Sequence, residues 1–528
     1  MGLTQQSRAL FPSDLLGLRE TLATLPRLLE EEQGWYGSVY FERKTSRVLA
    51  ANLKNTQISD STTMGAVLRV FNGETLFEQA TDELSSDNLK TQAKVLIARV
   101  READALSKKI KTSYRTPNWQ ARLALKLDPE ILSQIPKQVT ATTPVHFGIA
   151  FQNDPRTPSP SETFDRLKKI LEECKEVAKE VGIDSTDLTY VLARQTVAEE
   201  VGLFIDRETN MSQTLLRVAL VAITMSGAER TVSKKGGLGG LEAIQISKDE
   251  LRPQIKDLQA LRGAQRLVPG RYRVLFGPVT TGVIAHEAFG HSQEGDTCAR
   301  GRSMAWDLYK SGEKVGNKNA TILNNPAIFA NATEPCAAWG SYYFDEEGWL
   351  AQEQLLLDQG VLCSPMTNFT SALQLGVPRT ANGKRESWAN GVYARQTNTY
   401  FSAGDKTLKQ LIEDVGDGYL AFHPAGGMED PKGMGIQVGL AYLEEVKGGK
   451  RTGRLFKGPA GGEIQMTGYT PDILNSIVAK SKIEADQDAP DRATHPFNDV
   501  GGCGKYHKEL VQAGCGGPYM LIENVVLG

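Results

Sequence analysis

The sequence predicts an α+β protein in which an N-terminal α/β domain with a mixed or antiparallel sheet precedes a β-rich, barrel-like C-terminal domain. Three observations indicate this class. The first half combines amphipathic helical patterns with alternating strand-like runs, the second half contains short β-like runs between glycines, and 528 residues are enough for roughly two to four domains. With 40% hydrophobic and 23% charged residues, the composition is that of a globular protein and excludes intrinsic disorder and collagen.

The elements of the first half follow from hydrophobic periodicity. Residues 15–31 have the spacing of an amphipathic helix that Pro26 interrupts, and Asn72–Gly73 is typical of a hairpin turn between alternating strands. Helical spacing recurs over residues 84–109 and 162–182. Strands are predicted over residues 38–42, 47–50, 65–71, 190–192, 215–224 and 240–246.

In the second half, residues 247–265 form a predicted connector helix, and the turn at Pro269–Gly270 leads into strand 271–276. Further predicted helices are short and cover residues 406–414 and 471–481, whereas 436–443 and 519–526 are strand-like. We therefore expect three regions, which are an N-terminal domain over 1–246, a connector with a metal-motif helix over 247–296, and a β-rich domain over 297–528.

Charge and hydropathy limit the partners. The net charge of -3 provides no overall field for nucleic acid or an anionic membrane, so neither is an expected partner. The most apolar run, residues 215–225, has about half the roughly 20 residues that a membrane span needs. The first residues lack the charged and apolar regions of a signal peptide, which predicts a cytoplasmic protein.

The chemistry is concentrated in residues 282–296, GVIAHEAFGHSQEGD, where His286, Glu287 and His291 form the pattern His-Glu-x-x-x-His. Neutral imidazoles are good Zn²⁺ ligands, and a glutamate beside the first histidine is placed to deprotonate a water molecule at the metal. The pattern resembles the His-Glu-x-x-His motif of zinc peptidases with one extra residue. It predicts a zinc site, and the alternative is a core helix whose histidines bond to backbone carbonyls.

The extra residue has a geometric consequence. In a straight α-helix, positions i and i+5 lie about 140° apart around the axis and ~7.5 Å along it, so His286 and His291 would not easily meet one ion. A π-bulge absorbs one residue and occurs often at functional sites, and Gly290 lowers the steric barrier to this distortion. Pro278 is suited to the first helical position and Gly295 to the end of the helix.

A catalytic zinc site usually has three protein ligands and one water molecule, so the two histidines need a third partner. The spacing alone does not choose it. The candidates are Cys503, Cys515, His507, His495, His423 and Glu294.

The segment Gly282–Asp296 resembles the signature of the TldD/PmbA family of metallopeptidases, the modulator-of-gyrase family. Supporting stretches occur in the family's order at residues 65–71, 383–387, 395–400 and 500–505. The resemblance implies zinc held by His286, His291 and Cys503, with Glu287 as the catalytic glutamate. It also implies a dimer, either of identical chains or with a PmbA-like subunit.

The predicted function is zinc-dependent hydrolysis of amide bonds in short or unfolded peptides, as a step in maturation or biosynthesis. The alternatives are a zinc enzyme of a natural-product pathway with another reaction, and a non-catalytic partner subunit. Arg379 or Tyr400 would stabilise the oxyanion, and Asn398 and Thr399 would hold the substrate backbone. The alternative roles for these four are a surface ion pair for Arg379, strand packing for Tyr400 and turn formation for the other two.

Overall fold

The computed structural model describes residues 7–107, 111–112, 118–140, 143–184, 186–329, 336–482, 501–505 and 510–528. These residues form a mixed α/β fold built on two large sheets, as the sequence predicts. Within them, no helix has both the length and the apolar character needed to cross a bilayer.

The first large sheet has seven strands and lies in the N-terminal half. Its longest strands pair antiparallel along most of their length, whereas strand Val145–Gly148 pairs parallel, so the sheet is mixed. The predicted hairpin is present, because the turn at residues 72–75 joins two neighbouring strands. The spatial order is Leu76–Thr81, Thr56–Phe71, Tyr36–Asn52, Leu188–Asp206, Asn210–Ser226 and Val145–Gly148, with Glu229–Leu238 also pairing to Asn210–Ser226.

Most helices carry one apolar face, and that face packs on a sheet. The predicted break near Pro26 is confirmed, because one helix ends at Ala23 and the next begins at Leu25. The α-helices of the described residues are Leu16–Ala23, Leu25–Leu29, Ser86–Leu106, Trp119–Leu123, Pro129–Gln134, Pro160–Glu180, Lys248–Leu261, Pro278–Ala285, Gly295–Ala299, Ala305–Ser311, Phe369–Leu375, Leu408–Val415 and Thr470–Asn475.

The second large sheet belongs to the C-terminal half, has ten strands and curls into a half-barrel. Among the described residues, its last strand, Pro424–Asp430, pairs with a neighbour on one side only and is therefore an edge strand. The order is Gln265–Arg266, Lys450–Lys457, Leu443–Lys447, Gly418–Ala421, Gly270–Phe276, Met520–Leu527, Ile464–Tyr469, Gly435–Leu440 and Pro424–Asp430, with Ile477–Lys480 pairing to Met520–Leu527.

In the part of the chain that the structure describes, a smaller six-stranded sheet ends in a second edge strand, Gly501–Cys503. Its order is Val361–Leu362, Gln354–Asp358, Ile322–Asn324, Asn398–Phe401, Val511–Gly516 and Gly501–Cys503. Two further strand pairs have two residues each, Ser7–Arg8 with Ala150–Phe151 and Gly383–Lys384 with Tyr393–Ala394.

Two predicted elements are wrong. The predicted strand over residues 240–246 contains a 3-10 helix, Leu241–Ile244, because the Glu242 carboxylate accepts the backbone N–H groups of Gln152, Asn153 and Gly240 and curls the chain. The predicted helix over residues 471–481 ends at Asn475, and the following residues instead form a strand. Pairing of this strand with Met520–Leu527 outweighs its local helical pattern.

The hydrophobic cores show how the halves meet. Leu251 and Ile255 of helix Lys248–Leu261 share a core with Leu167 of the N-terminal half. Conversely, Tyr343 of the C-terminal half stacks on Phe147 of the first sheet, with 5.3 Å between the ring centroids. The C-terminal core itself buries one side of the helix that carries the His-Glu pattern, and the edge strand Pro424–Asp430 packs against the same helix.

Candidate metal centre

The metal-site helix, residues 278–293, changes type along its length. It is α-helical over Pro278–Ala285, π-helical over His286–Gly290 and a 3-10 helix over His291–Gln293. Pro278 occupies the first turn as predicted, and the predicted π-helical widening is confirmed. The helix ends close to the predicted position, because Gln293 is its last residue and Glu294 its C-cap, and Gly295 is the first residue of the next helix.

Close packing, rather than backbone freedom, explains Gly290. Its backbone angles of φ -70° and ψ -64° are ordinary for any residue. A Cβ atom at this position would collide with the Gln396 side chain, whose Nε2 donates a hydrogen bond to the His286 carbonyl at 3.2 Å. The Thr399 hydroxyl in turn donates to Gln396 Oε1 at 2.8 Å. Gln396 therefore satisfies a backbone carbonyl within the widened turn.

Widening the helix brings the two histidines together with Cys503. One donor atom from each of His286, His291 and Cys503 lies within 4.8 Å of the other two. The imidazole centroids are 4.9 Å apart with the rings nearly perpendicular, and Cys503 Sγ lies 3.3 Å from His291 Nε2. Two imidazoles and one thiol on a cavity wall form a donor set that suits Zn²⁺ and leaves one side open.

The local charges favour the thiolate form that a metal needs. Burial alone raises the pKa of Cys503, but the neighbouring His291 and His286 lower it well below its usual value. Burial lowers the pKa of His291, but Cys503 and Glu294 together raise it well above its usual value. A buried thiol with a lowered pKa is characteristic of metal-binding and reactive cysteines.

Glu294 supports His291 from behind. Its Oε2 lies 3.3 Å from His291 Nδ1, which leaves Nε2 directed toward Cys503. Burial raises the pKa of Glu294, but Lys505 and His291 lower it well below its usual value, so the carboxylate is ionised. A carboxylate in this position orients a histidine ligand and raises its basicity. Glu294, one of the candidate third ligands, is therefore positioned to orient the His291 ring.

Lys505 connects this support to the strand that carries Cys503. Its Nζ lies 2.8 Å from Glu294 Oε2 and 2.8 Å from Asp296 Oδ1, and it donates to the Ala394 carbonyl at 3.1 Å. Arg395 adds a hydrogen bond to the Cys503 carbonyl at 2.5 Å. The two cations therefore hold the cysteine strand against the metal-site helix.

We predict that Lys505→Met lowers zinc affinity by about 10–100-fold, because Glu294 loses its cation and the cysteine strand loses its anchor. Competition with a zinc chelator measures the affinity, and circular dichroism establishes that the variant is folded. Lys447→Met, which changes an exposed lysine, is the matched control. A folded Lys505→Met protein with wild-type affinity would contradict this role.

The other candidate third ligands lie elsewhere. Cys515 lines the same cavity, but its thiol points to the Val279 carbonyl at 3.9 Å and is not part of the cluster. His423 packs against Tyr442 at 4.9 Å, and burial lowers its pKa to about 4. His495 and His507 lie outside the described residues.

The four predicted substrate-binding side chains make contacts within the protein. Arg379 donates to the Glu347 carbonyl at 2.8 Å, and Asn398 Nδ2 donates to the Asn325 carbonyl at 2.7 Å. Thr399 bonds to Gln396, and the Tyr400 hydroxyl donates to Glu353 Oε2 at 3.0 Å. None of the four is among the described residues that line the cavity beside His286, His291 and Cys503. Thr399 thus acts on the site through Gln396.

The cluster opens onto a cavity of about 890 Å³. Residues of both edge strands, Pro424–Asp430 and Gly501–Cys503, line it together with His286, Glu287 and His291. Gly427 packs directly on the glutamate, because a Cβ there would lie 2.7 Å from Glu287 Cγ. The two edge strands therefore border the part of the cavity next to His286, His291 and Cys503.

The sequence interpretation missed four residues of the site, which are Gln396, Gly427, Lys505 and Glu429, the last of which lines the cavity. Gln396 lies in a stretch that carries the family resemblance, and Lys505 follows Cys503 by two residues, so both had a weak signal. Gly427 and Glu429 belong to a strand that no motif marks.

Comparison with known proteins gives the family. Residues 269–528 match the PmbA/TldA metallopeptidase C-terminal domain. A metalloprotease of Methanothermobacter thermautotrophicus is 27% identical over 68% of this chain and 73% of its own length. A zinc metalloprotease TldD homolog of Saccharolobus solfataricus is 28% identical over 49% of this chain and 52%, about half, of its own length.

The fold agrees with this match. The crystal structure of TldE from Thermococcus kodakarensis superimposes with a TM-score of 0.61 over 97% of this chain and 100% of that chain, at 13% sequence identity. The shared fold shows the same architecture. The metallopeptidase domain match over residues 269–528 and the metalloprotease relatives place the chain in the TldD/PmbA family.

Proposed function

We propose that this protein is a zinc-dependent peptidase that hydrolyses amide bonds of short or unfolded peptides. One observation carries the proposal. Two imidazoles and a thiolate converge within 4.8 Å on the wall of a cavity that Glu287, from the same helix, also lines. The names of the relatives support a metalloprotease, and one of them is named for zinc.

In this proposal His286, His291 and Cys503 hold the metal. Bound zinc supplies Lewis acidity, which lowers the pKa of water and polarises a carbonyl group. Glu287 accepts the proton of the attacking water molecule and returns it to the leaving amine. Glu294 and Lys505 keep the His291 ring in place during these steps.

The edge strands suggest how a peptide binds. An edge strand presents unpaired backbone N–H and C=O groups, and an extended peptide can add to it as a further strand. Both strands border the cavity, but in strand Gly501–Cys503 the Gly501 and Cys503 carbonyls already accept hydrogen bonds from Trp339 and Arg395. Strand Pro424–Asp430 pairs on one side only within the described residues, so we expect the peptide to add to this strand. Recognition through the main chain gives affinity with loose sequence preference.

We predict about one zinc per chain and preferential cleavage of unfolded substrate. A folded domain must first unfold locally to offer an extended segment, which costs several kcal/mol. The test compares one polypeptide in its folded form and in a destabilised variant under identical conditions, with products identified by mass spectrometry. Equal cleavage rates for the two forms would contradict binding of an extended peptide in the cavity. Products without amide cleavage would favour another zinc reaction.

We further propose that the protein works as a dimer, either with itself or with a PmbA-like subunit. The support is the shared fold with a TldE protein. Co-expression with such a subunit, followed by size-exclusion chromatography with light scattering, distinguishes the two assemblies.

A further inference from the structure

The edge strand Pro424–Asp430 presents two residues to the metal-site helix. Successive side chains of a strand point to opposite faces, so Gly427 and Glu429 share one face. Gly427 abuts Glu287, and Glu429 is half-buried whereas its neighbours Met428 and Asp430 are exposed. Two residues of strand span about 7 Å, so Glu429 lies roughly that distance along the strand from the point that contacts Glu287.

The Glu429 carboxylate forms no ion pair within the described part of the chain. Both oxygens are buried, and neither accepts a hydrogen bond of ordinary geometry from a described residue, although the Ser292 backbone amide is near enough to affect the carboxyl group. Burial raises the pKa of Glu429 well above its usual value, and the opposing effects of His291 and the Ser292 amide are smaller. A buried carboxylate without a partner is costly, so its charged form requires a cation beside it.

The other buried charges at this site are already matched. Glu294 and Asp296 share Lys505, and Arg395 lies 3.6 Å from Glu294. Zn²⁺ with two neutral imidazoles and one thiolate would carry a net charge of about +1, which the Glu287 carboxylate balances. Lys234, Arg302 and Lys432 also line the cavity, but none of them is hydrogen-bonded to Glu429. Glu429 is therefore the carboxylate at this site that a cation of the substrate can neutralise.

We propose that Glu429 binds a primary ammonium group of the substrate, the α-ammonium group of a peptide. This inference rests on the peptidase function proposed above and adds where the peptide begins. The edge strand ends at Asp430, and Pro431, which also lines the cavity, has no backbone N–H for further pairing. A peptide whose N-terminus lies beside Asp430 and which runs antiparallel to the strand reaches the three metal-ligand side chains after one or two residues. Cleavage would therefore release short N-terminal fragments.

The test measures peptide binding to zinc-loaded protein in which Glu287→Gln blocks turnover. Matched peptides carry a free or an acetylated N-terminus, and a second pair exchanges lysine for norleucine. We expect acetylation to weaken binding at least about tenfold when Glu429 is present, the range of buried charged pairs. When Glu429→Gln is added, acetylation is expected to have no effect. Glu313→Gln, which makes the same change at an exposed position that does not line the cavity, is the control and should preserve the difference.

Each result bears on the proposal separately from catalysis. Coupling between Glu429 and the α-amino group supports it even if no peptide is cleaved. Coupling to the lysine instead keeps an ammonium subsite but assigns it to a side chain. Absence of coupling in both arms overturns it, even if the wild type is an active peptidase. Loss of zinc from the folded Glu429→Gln protein also overturns it, because Glu429 would then be a metal ligand.

Discussion

Replacing Glu287 with glutamine is expected to reduce peptide cleavage by about two to four orders of magnitude while zinc stays bound. The amide keeps the shape of the side chain, and its contact with Gly427 is therefore preserved. It cannot accept a proton, however, and general acid–base catalysis typically contributes 10²–10⁴-fold. The measurement combines kcat for an unfolded peptide with the zinc content of the same preparation.

Glu313→Gln, which makes the same change at an exposed position, is the control for this comparison. It should match the wild type in both zinc content and rate. If Glu287→Gln cleaved peptides at the wild-type rate, Glu287 would not be the base, and the proposed mechanism would be wrong. A loss of zinc together with activity would instead indicate that Glu287 helps to hold the metal.

Replacing Cys503 with serine is expected to remove most of the bound zinc, whereas Cys515→Ser should change the zinc content little. The two thiols line the same cavity, but Cys503 alone belongs to the cluster with His286 and His291. A hydroxyl is a weak zinc ligand at neutral pH because, unlike the Cys503 thiol, it is not ionised. Both variants remove one thiol from the same cavity, so each serves as the other's control.

Zinc is measured by atomic absorption after dialysis against a chelator that the wild type withstands. The wild type should retain about one zinc and Cys503→Ser should retain little. Equal zinc in the wild type and Cys503→Ser would overturn the assignment and point to Cys515 or to His507. After removal of the metal, cleavage by the wild type should return at a lower zinc concentration than cleavage by Cys503→Ser. Only the wild type keeps all three donor side chains.

The local part of the site was accessible from the sequence because it depends on residues close together in the chain. The five-residue spacing of His286 and His291 demands one extra residue in the helical turn, and the structure contains that π-helical turn. The role of Gly290 was misread, since its Cα packs against Gln396, more than one hundred residues later, and this contact leaves no trace in helical periodicity.

The predicted substrate-binding residues show what the sequence could not decide. Asn398, Thr399 and Tyr400 lie in a strand of the six-stranded sheet, and all three side chains are buried among protein partners. A short polar stretch has the same composition whether it faces a cavity or a buried network. Only the pairing of this strand with its neighbours decides which side chains reach the site.

The sequence by itself determined the fold class, most helices and strands, and the position of the two histidines and the glutamate on one helix, because periodicity and residue spacing are local properties. The tertiary structure alone decided how Cys503, 212 residues from His291, joins them, and why Lys505, Gln396 and Glu429 matter. It did so by packing two sheet edges against one widened helix. Contacts of this kind depend on strand order and register, which are set by the burial of whole faces and not by any short motif.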